Sequence, residues 1–286
     1  MAEQTRIAVL VIIGIGKKDQ ADYEREAIQP LQQQLTEQIG DGAVIELVHW
    51  TDILYDEKER VRTGYHAQDP DLGYDALRRF FSGLITDVIA YQPQGKESDI
   101  YLNIHKKVAN ALDRLSKSAG PNAPLVILAH SMGGVVASNY LRELQQDTHE
   151  SELLPEEVHH IAGDTPIERG ETLAQLYTMG TMLALYSVRH KEFDEPMRVP
   201  SPELSQHYPA RNLPTCWVNF YNRSDVLGYP LAFLNDAYAS IVDDRPVNSG
   251  SWKTSWNPFS HMDYWGDEQI VQAITDGIMN LYRVLN

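Results

Sequence analysis

The sequence predicts an α/β protein, with a mostly parallel central sheet covered by helices on both faces. Two observations carry this reading. Short uninterrupted apolar runs at 7–13 (I-A-V-L-V-I-I) and 125–129 (L-V-I-L-A) have the length and branching of strands buried on both sides. Between such runs lie stretches whose apolar residues recur at helical spacing, and strand–helix alternation implies parallel pairing. The 286 residues suffice for one large α/β domain with a buried core. With neither a linker nor an internal repeat, residues 1–286 read as a single domain.

The elements follow in order. The run 7–13 is a central strand ended by Gly14. A helical stretch follows, with Tyr23, Ala27, Leu31 and Leu35 roughly on one face and Pro30 starting or kinking it. Residues 43–50 (A-V-I-E-L-V-H-W) read as a second strand. Residues 51–98 are longer than an ordinary connection and carry apolar spots at Phe80, Phe81, Leu84, Ile85, Val88 and Ile89. They form a candidate inserted cap. A helix from Asp99 to Lys117 places Ile104, Val108, Ala111, Leu112 and Leu115 at three- and four-residue steps, and Gly120 and Pro121 stop it. After the strand 125–129, residues 132–146 read as a helix with Val135, Val136, Tyr140, Leu141 and Leu144 on one side. Residues 147–172 are polar and loop-like with short helical pieces. Residues 176–182 and 215–221 are further strands, and a closing helix over 268–285 has Ile270, Val271, Ile274, Ile278, Leu281 and Leu285 as its apolar face.

The formal net charge of −16 repels phosphate backbones and anionic headgroups, so nucleic acid is not an expected partner. The apolar run 7–15 is too short to span a bilayer and lacks a cleavage site, so neither stable membrane insertion nor export is expected. The single cysteine, Cys216, excludes an intrachain disulfide, fits a reducing compartment and points to a cytoplasmic protein. Cys216 lies in an apolar run and reads as a small core residue. His159 and His160 lack further ligands at metal-like spacing and read as surface residues.

The most specific signal is A-H-S-M-G-G at 129–134, set between a buried strand and a helix. A serine nucleophile on a sharp strand-to-helix turn needs small residues two positions to either side, because larger ones collide with the neighbouring backbone. Ala129 and Gly133 meet that demand and make Ser131 the candidate nucleophile. Its hydroxyl needs a base to take its proton and a carboxylate to orient that base. On this type of sheet the chain order is serine, acid, histidine. Asp225 closely follows the strand 215–221, which puts it on the rim shared with Ser131. Asp194, Asp236 and Asp243 are less well placed. His261 is the only histidine after Asp225, so the order rule selects it. His130 adjoins the nucleophile but points elsewhere, as a packed or hydrogen-bonded neighbour of the site.

The tetrahedral oxyanion requires two backbone N–H donors. Met132, directly after the serine, supplies one. Gly14-Ile15-Gly16 ends the first strand at the same end of the sheet, which makes Ile15 the candidate second donor and Gly16 the next choice, with a plain glycine-rich turn as the alternative. A phosphate-loop reading of this segment fails. The dinucleotide pattern needs a glycine where Asp19 stands, and the P-loop pattern needs one at Val11 and a Ser or Thr at Lys18.

Together these segments resemble small bacterial lipases and esterases of the α/β-hydrolase superfamily. A-H-S-M-G-G is similar to their nucleophile motif, G-I-G at 14–16 to their oxyanion loop, and N-R-S-D at 222–225 and S-H-M-D-Y-W at 260–265 to their acid and base segments. One departure is that Ile13 stands where the family has a histidine that helps to brace the oxyanion loop. The resemblance implies cleavage of a small-molecule carboxylic ester through an acyl-enzyme, with no cofactor or metal. Thioester or amide hydrolysis and acyl transfer use the same groups, and a binding module on this fold is the non-catalytic alternative. Residues 51–98 or 226–260 are the candidates for covering the pocket. Their aromatic residues (Tyr55, Tyr65, Tyr74, Tyr229, Phe233, Tyr238, Trp252, Trp256) suit an apolar acyl or aryl group, or ordinary packing.

Overall fold

A computed structural model describes residues 4–14, 24, 28–69, 71, 73–93, 99–146, 155–188, 195–249 and 258–286. Among these described residues, six strands form one all-parallel sheet: β1 (Ile7–Ile12), β2 (Ala43–Val48), β3 (Leu125–His130), β4 (Leu173–Met179), β5 (Cys216–Asn222) and β6 (Val242–Val247). Their order across the sheet is β2-β1-β3-β4-β5-β6. Every residue of β1, β3 and β4 is buried, as their continuous apolar runs demand of strands covered on both faces.

The helices divide between the faces. α1 (Gln29–Ile39) packs with the closing helix, which ends the chain over Glu268–Leu285. Between them in sequence come α2 (Tyr55–Gln68), α3 (Asp75–Ala90), α4 (Asp99–Ala119), α5 (Met132–Gln145), α6 (Pro155–Ile161), α7 (Leu183–Tyr186), α8 (Leu204–His207) and α9 (Asp236–Ile241), which makes the closing helix α10. α4 packs on β1 and β2, and α5 on β1 and β3, with α4, α5 and α6 in mutual contact on the opposite face from α1 and α10. The connection from β1 runs outward to β2, whereas that from β2 returns past β1 to β3. The winding direction therefore reverses between β1 and β3. In open parallel sheets, ligands bind outside the carboxyl ends of the strands at such a switch point.

Several expectations need correction. The strand expected at 176–182 is β4, three residues earlier, because Gly180 with φ 52° turns the chain out of the sheet. The second strand stops at Val48, since Trp50 leads into a 3-10 turn at Thr51–Leu54. β6 was not anticipated. Its sequence V-D-D-R-P-V has no apolar run, and Pro246 is tolerated because the strand lies at the sheet edge. α5 is buried on all sides from Met132 to Glu143, not on one. Two of its charged residues, Arg142 and Glu143, find buried partners instead of water. Arg142 donates to Tyr238 Oη at 2.9 Å, and Glu143 accepts from Tyr101 Oη at 2.7 Å and lies 2.8 Å from His105 Nδ1. Tyr23 and Ala27, expected on the face of α1, lie outside the described residues.

Candidate active site

Ser131 sits between β3 and α5 with φ 56° and ψ −125°. A residue with a Cβ pays about 1–3 kcal/mol for such a conformation, so the surroundings must hold it there. They do so on both sides. Ser131 N–H donates to Met179 O of the neighbouring strand at 2.9 Å, and Ser131 O accepts from Gly134 N–H at 3.1 Å. The requirement for a small residue at 133 is visible directly. A Cβ there would stand 2.3 Å from Ile12 O and 2.6 Å from Ile13 O, so only glycine lets α5 start this close to the end of β1. Ala129, at the other flank, is fully buried in β3.

Asp225 follows β5 in a tight turn, with its N–H on Asn222 O at 3.0 Å. Its two carboxylate oxygens are used differently. Oδ1 accepts from Leu227 N–H at 2.9 Å and shapes the turn, while Oδ2 lies 2.8 Å from His261 Nδ1. His261 belongs to a 3-10 turn at Pro258–Met262 that precedes α10, and its Nε2 lies 2.7 Å from Ser131 Oγ. A carboxylate only accepts, so Nδ1 carries the ring proton. Nε2 of the neutral ring then accepts from the serine hydroxyl. Ser131 and His261 are 0% and 1% exposed. Burial pushes the Asp225 carboxyl pKa up, but hydrogen bonds from His261, Leu227 N–H and Tyr264 outweigh it and hold the group below its usual value.

The structure thus brings Ser131, His261 and Asp225 into one hydrogen-bonded chain at the switch point. Of the less favoured acids, Asp243 pairs with Arg245 at 2.6 Å, Asp236 opens α9 in solvent, and Asp194 lies outside the described residues. Met132 is buried as the first residue of α5, where its N–H has no carbonyl within the helix to bond. Ile15 and Gly16 lie outside the described residues. The start of their loop is placed: a Cβ on Gly14 would stand 2.4 Å from Ser131 Cβ and 3.1 Å from its Oγ. The segment after β1 therefore begins in contact with the serine.

His130 is a hydrogen-bonded neighbour, as its position suggested. Burial, then the nearby His261, lowers its pKa to about 3, so the ring is neutral. Its Nε2–H donates to the backbone O of His261 at 2.9 Å and helps to hold the 3-10 turn that carries His261. Cys216 is half-buried at the start of β5, and burial raises its thiol pKa. His159 and His160 are exposed. Among the described residues, no group of three or more His, Cys, Asp or Glu converges as a metal site. No helix among them is long and apolar enough to cross a membrane.

Two residues of the site escaped the sequence reading. Trp50 is fully buried, and its indole N–H donates to Ile13 O at 2.8 Å. It braces the chain at Ile13, and its only cue was a tryptophan ending an expected strand. Tyr264 is also fully buried. Its hydroxyl donates to Asp225 Oδ2 at 2.8 Å and accepts from Asn222 N–H at 2.8 Å. Its position three residues beyond His261 was the only signal. From the segment 51–98, α3 places the Phe80 ring edge-on to His261, with centroids 5.9 Å apart. Leu84 of α3 is buried, while Leu77, Ile85 and Ile89 are exposed, so this helix is apolar on both sides. Among the aromatic candidates, Tyr238 is buried, Tyr74 is exposed, and Trp252 and Trp256 lie outside the described residues.

No family model and no curated relative matches the sequence. Among solved structures, a fungal esterase from Rhizomucor miehei is 11% identical over 99% of this chain and 77% of its own, with a TM-score of 0.44. An esterase from Pyrobaculum calidifontis is 12% identical over 98% of this chain and 78% of its own, with a TM-score of 0.41. Thermogutta terrifontis esterase 2 is 12% identical over 94% and 84%, with a TM-score of 0.37. The all-parallel sheet, the winding reversal between β1 and β3 and the left-handed serine between β3 and α5 together make this the α/β-hydrolase fold.

Proposed function

We propose that the chain is a serine hydrolase that cleaves a small-molecule carboxylic ester through an acyl-enzyme. The observation that carries this reading is the 2.7 Å approach of Ser131 Oγ to His261 Nε2, on a turn that holds the serine at φ 56°. A binding module has no use for a strained serine whose proton already points at a base.

In the proposed reaction, Ser131 Oγ attacks the ester carbonyl carbon while its proton passes to His261 Nε2. Asp225 Oδ2 holds the ring through Nδ1–H and stabilises the imidazolium. The oxyanion lies on the N–H of Met132 and that of Ile15, with Gly16 next. The tetrahedral intermediate expels the alcohol, which takes the proton from Nε2, and leaves the acyl group on Ser131. Water then gives a proton to Nε2 and attacks the acyl carbon. Collapse releases the carboxylic acid and returns the proton to Ser131. The chemistry calls on no metal or cofactor. Residues 1–286 act as one domain, with 51–98 as a cap whose Phe80 stands against the base. The single Cys216 suits a reducing, cytoplasmic setting.

The test is labelling with a fluorophosphonate, which reacts with an activated serine. Wild type should label at Ser131, and Ser131→Ala and His261→Ala should not. An inert wild type would favour the binding module. A panel of esters, thioesters and amides then identifies the bond, and preferential turnover of a thioester or amide would replace the ester reading.

A further inference from the structure

We infer that Tyr264 is a positioning residue for this hydrolysis: its hydroxyl shares Asp225 Oδ2 with His261 Nδ1 and so sets how strongly the carboxylate holds the imidazolium. The inference rests on the proposed serine-hydrolase reading. Its support is a set of directional contacts that simple packing does not require. The N–H of Asn222 can only donate, so it occupies a lone pair of the Tyr264 oxygen at 2.8 Å. The hydroxyl proton is then free to go only toward Asp225 Oδ2, also at 2.8 Å. His261 Nδ1 reaches the same oxygen at 2.8 Å. A phenylalanine would fill the same volume without either polar contact.

The fold clears space for this pair from two loops. A Cβ on Gly228, after β5, would lie 2.6 Å from Asp225 Oδ2 and 3.0 Å from Tyr264 Oη. A Cβ on Gly180, after β4, would lie 2.7 Å from Tyr264 Cε2 and 2.9 Å from Asp225 Oδ2. Burial, then the charge of Asp225, pushes the phenol pKa far above its ordinary value, so the hydroxyl remains a donor throughout the working range. Of the other groups nearby, Ser131 bonds to His261 and not to this pair, the neutral His130 ring lies 5.7 Å from the Tyr264 ring between centroids, and Asp263 stands between His261 and Tyr264 in sequence.

The consequence is a balance. A carboxylate oxygen that already accepts from a phenol offers less negative charge to the imidazole. Without that donor, the imidazolium would be held more strongly by the carboxylate. Its orientation is fixed at the same time, because Oδ1 is tied to Leu227 N–H and Oδ2 to Tyr264.

The experiment measures the fluorophosphonate labelling rate of Ser131 in the full chain across the pH range. In Tyr264→Phe the acid limb should move up by about half a unit to one unit. In ester turnover, kcat should fall about tenfold with KM nearly unchanged. Replacing Tyr264 by 3-fluorotyrosine, a stronger donor of nearly the same shape, should move the limb down, and this variant decides the matter if the phenylalanine variant does not fold. In an Asp225→Asn background, Tyr264→Phe should shift nothing further. An unmoved limb in the folded variants, or an equal shift without the Asp225 carboxylate, overturns the inference. If wild-type Ser131 does not label at any pH, the hydrolase reading fails. The pH at which the His261 ring resonances shift in NMR spectra still tests the Tyr264 effect in the same variants, and an unchanged midpoint rejects it.

Discussion

Gly133→Ala tests the geometry of the nucleophile turn at the point where it is tightest. The new methyl would stand 2.3 Å from Ile12 O and 2.6 Å from Ile13 O, against an ordinary contact of at least 3.4 Å. The shortfall is about 1 Å, and both neighbours are backbone atoms of the chain leaving the central strand β1, which cannot rotate away. α5 must therefore back off by roughly that distance and carry Ser131 with it. Oγ now lies 2.7 Å from His261 Nε2, and a retreat of about 1 Å takes it past hydrogen-bond range. Misplacement of that size costs about a hundredfold in rate. Overpacking adds about 1–3 kcal/mol of destabilisation. At about 2–4 °C per kcal/mol, Tm should fall by several degrees. Thermal melts give the stability change, and fluorophosphonate labelling at matched folded concentration gives the rate. An alanine variant with wild-type Tm and wild-type labelling would show that the helix start is not confined as described, and the reasoning about this turn would fail.

Three further outcomes follow from the same contacts. Asp225→Asn keeps the shape but deprives the Nδ1–H tautomer of its acceptor, so kcat should drop by about 10⁴-fold with the fold intact; a loss under tenfold would point to another acid. His130→Asn addresses stability against pH: the folded ring has its pKa lowered from 6.5 to about 3, so its contribution is complete above 6.5 and drains as pH falls toward 3, on the order of 5 kcal/mol in all. Urea melts at stepped pH should show a flatter acid dependence in the variant than in wild type, and equal slopes would contradict the burial argument. Phe80→Ala removes the ring edge-on to His261 and should raise kcat/KM for bulkier acyl esters relative to acetate esters by about tenfold, whereas an unchanged acyl profile would deny α3 a role in selecting substrate.

How much of this was legible in the sequence depended on where the information lies. β1 and β3 announced themselves because strands covered on both faces must be apolar throughout. β6 did not, because an edge strand can be V-D-D-R-P-V and still pair. Of the three residues of the hydrogen-bonded chain, Ser131 stood out by its small-residue turn motif, Asp225 by its place just after a strand, and His261 because a rule of chain order left a single histidine to choose. Their supports did not stand out, since they join distant segments: Trp50 reaches Ile13 from the turn after β2, and Tyr264 reaches back to Asp225 and Asn222. No periodicity marks such pairs. Asp225 divides its carboxylate between two contacts that no sequence pattern announces, Oδ1 to Leu227 N–H within the turn and Oδ2 to His261 Nδ1. The expected span of β4 began at Leu176 and ran on through Gly180-Thr181-Met182, whereas the strand starts at Leu173 and the buried Gln175 side chain within it donates to Pro214 O at 2.8 Å.

The central claim is that the Ser131 hydroxyl becomes an acyl carrier. The most direct measurement is acid-quenched mass spectrometry during the first turnover of an activated acyl ester, with peptide mapping of the adduct. The account predicts a transient mass gain of one acyl group on the peptide containing Ser131, absent from His261→Ala. Turnover with the acyl group on another residue, or with no covalent species at any time point in a rapid-quench series, would contradict it.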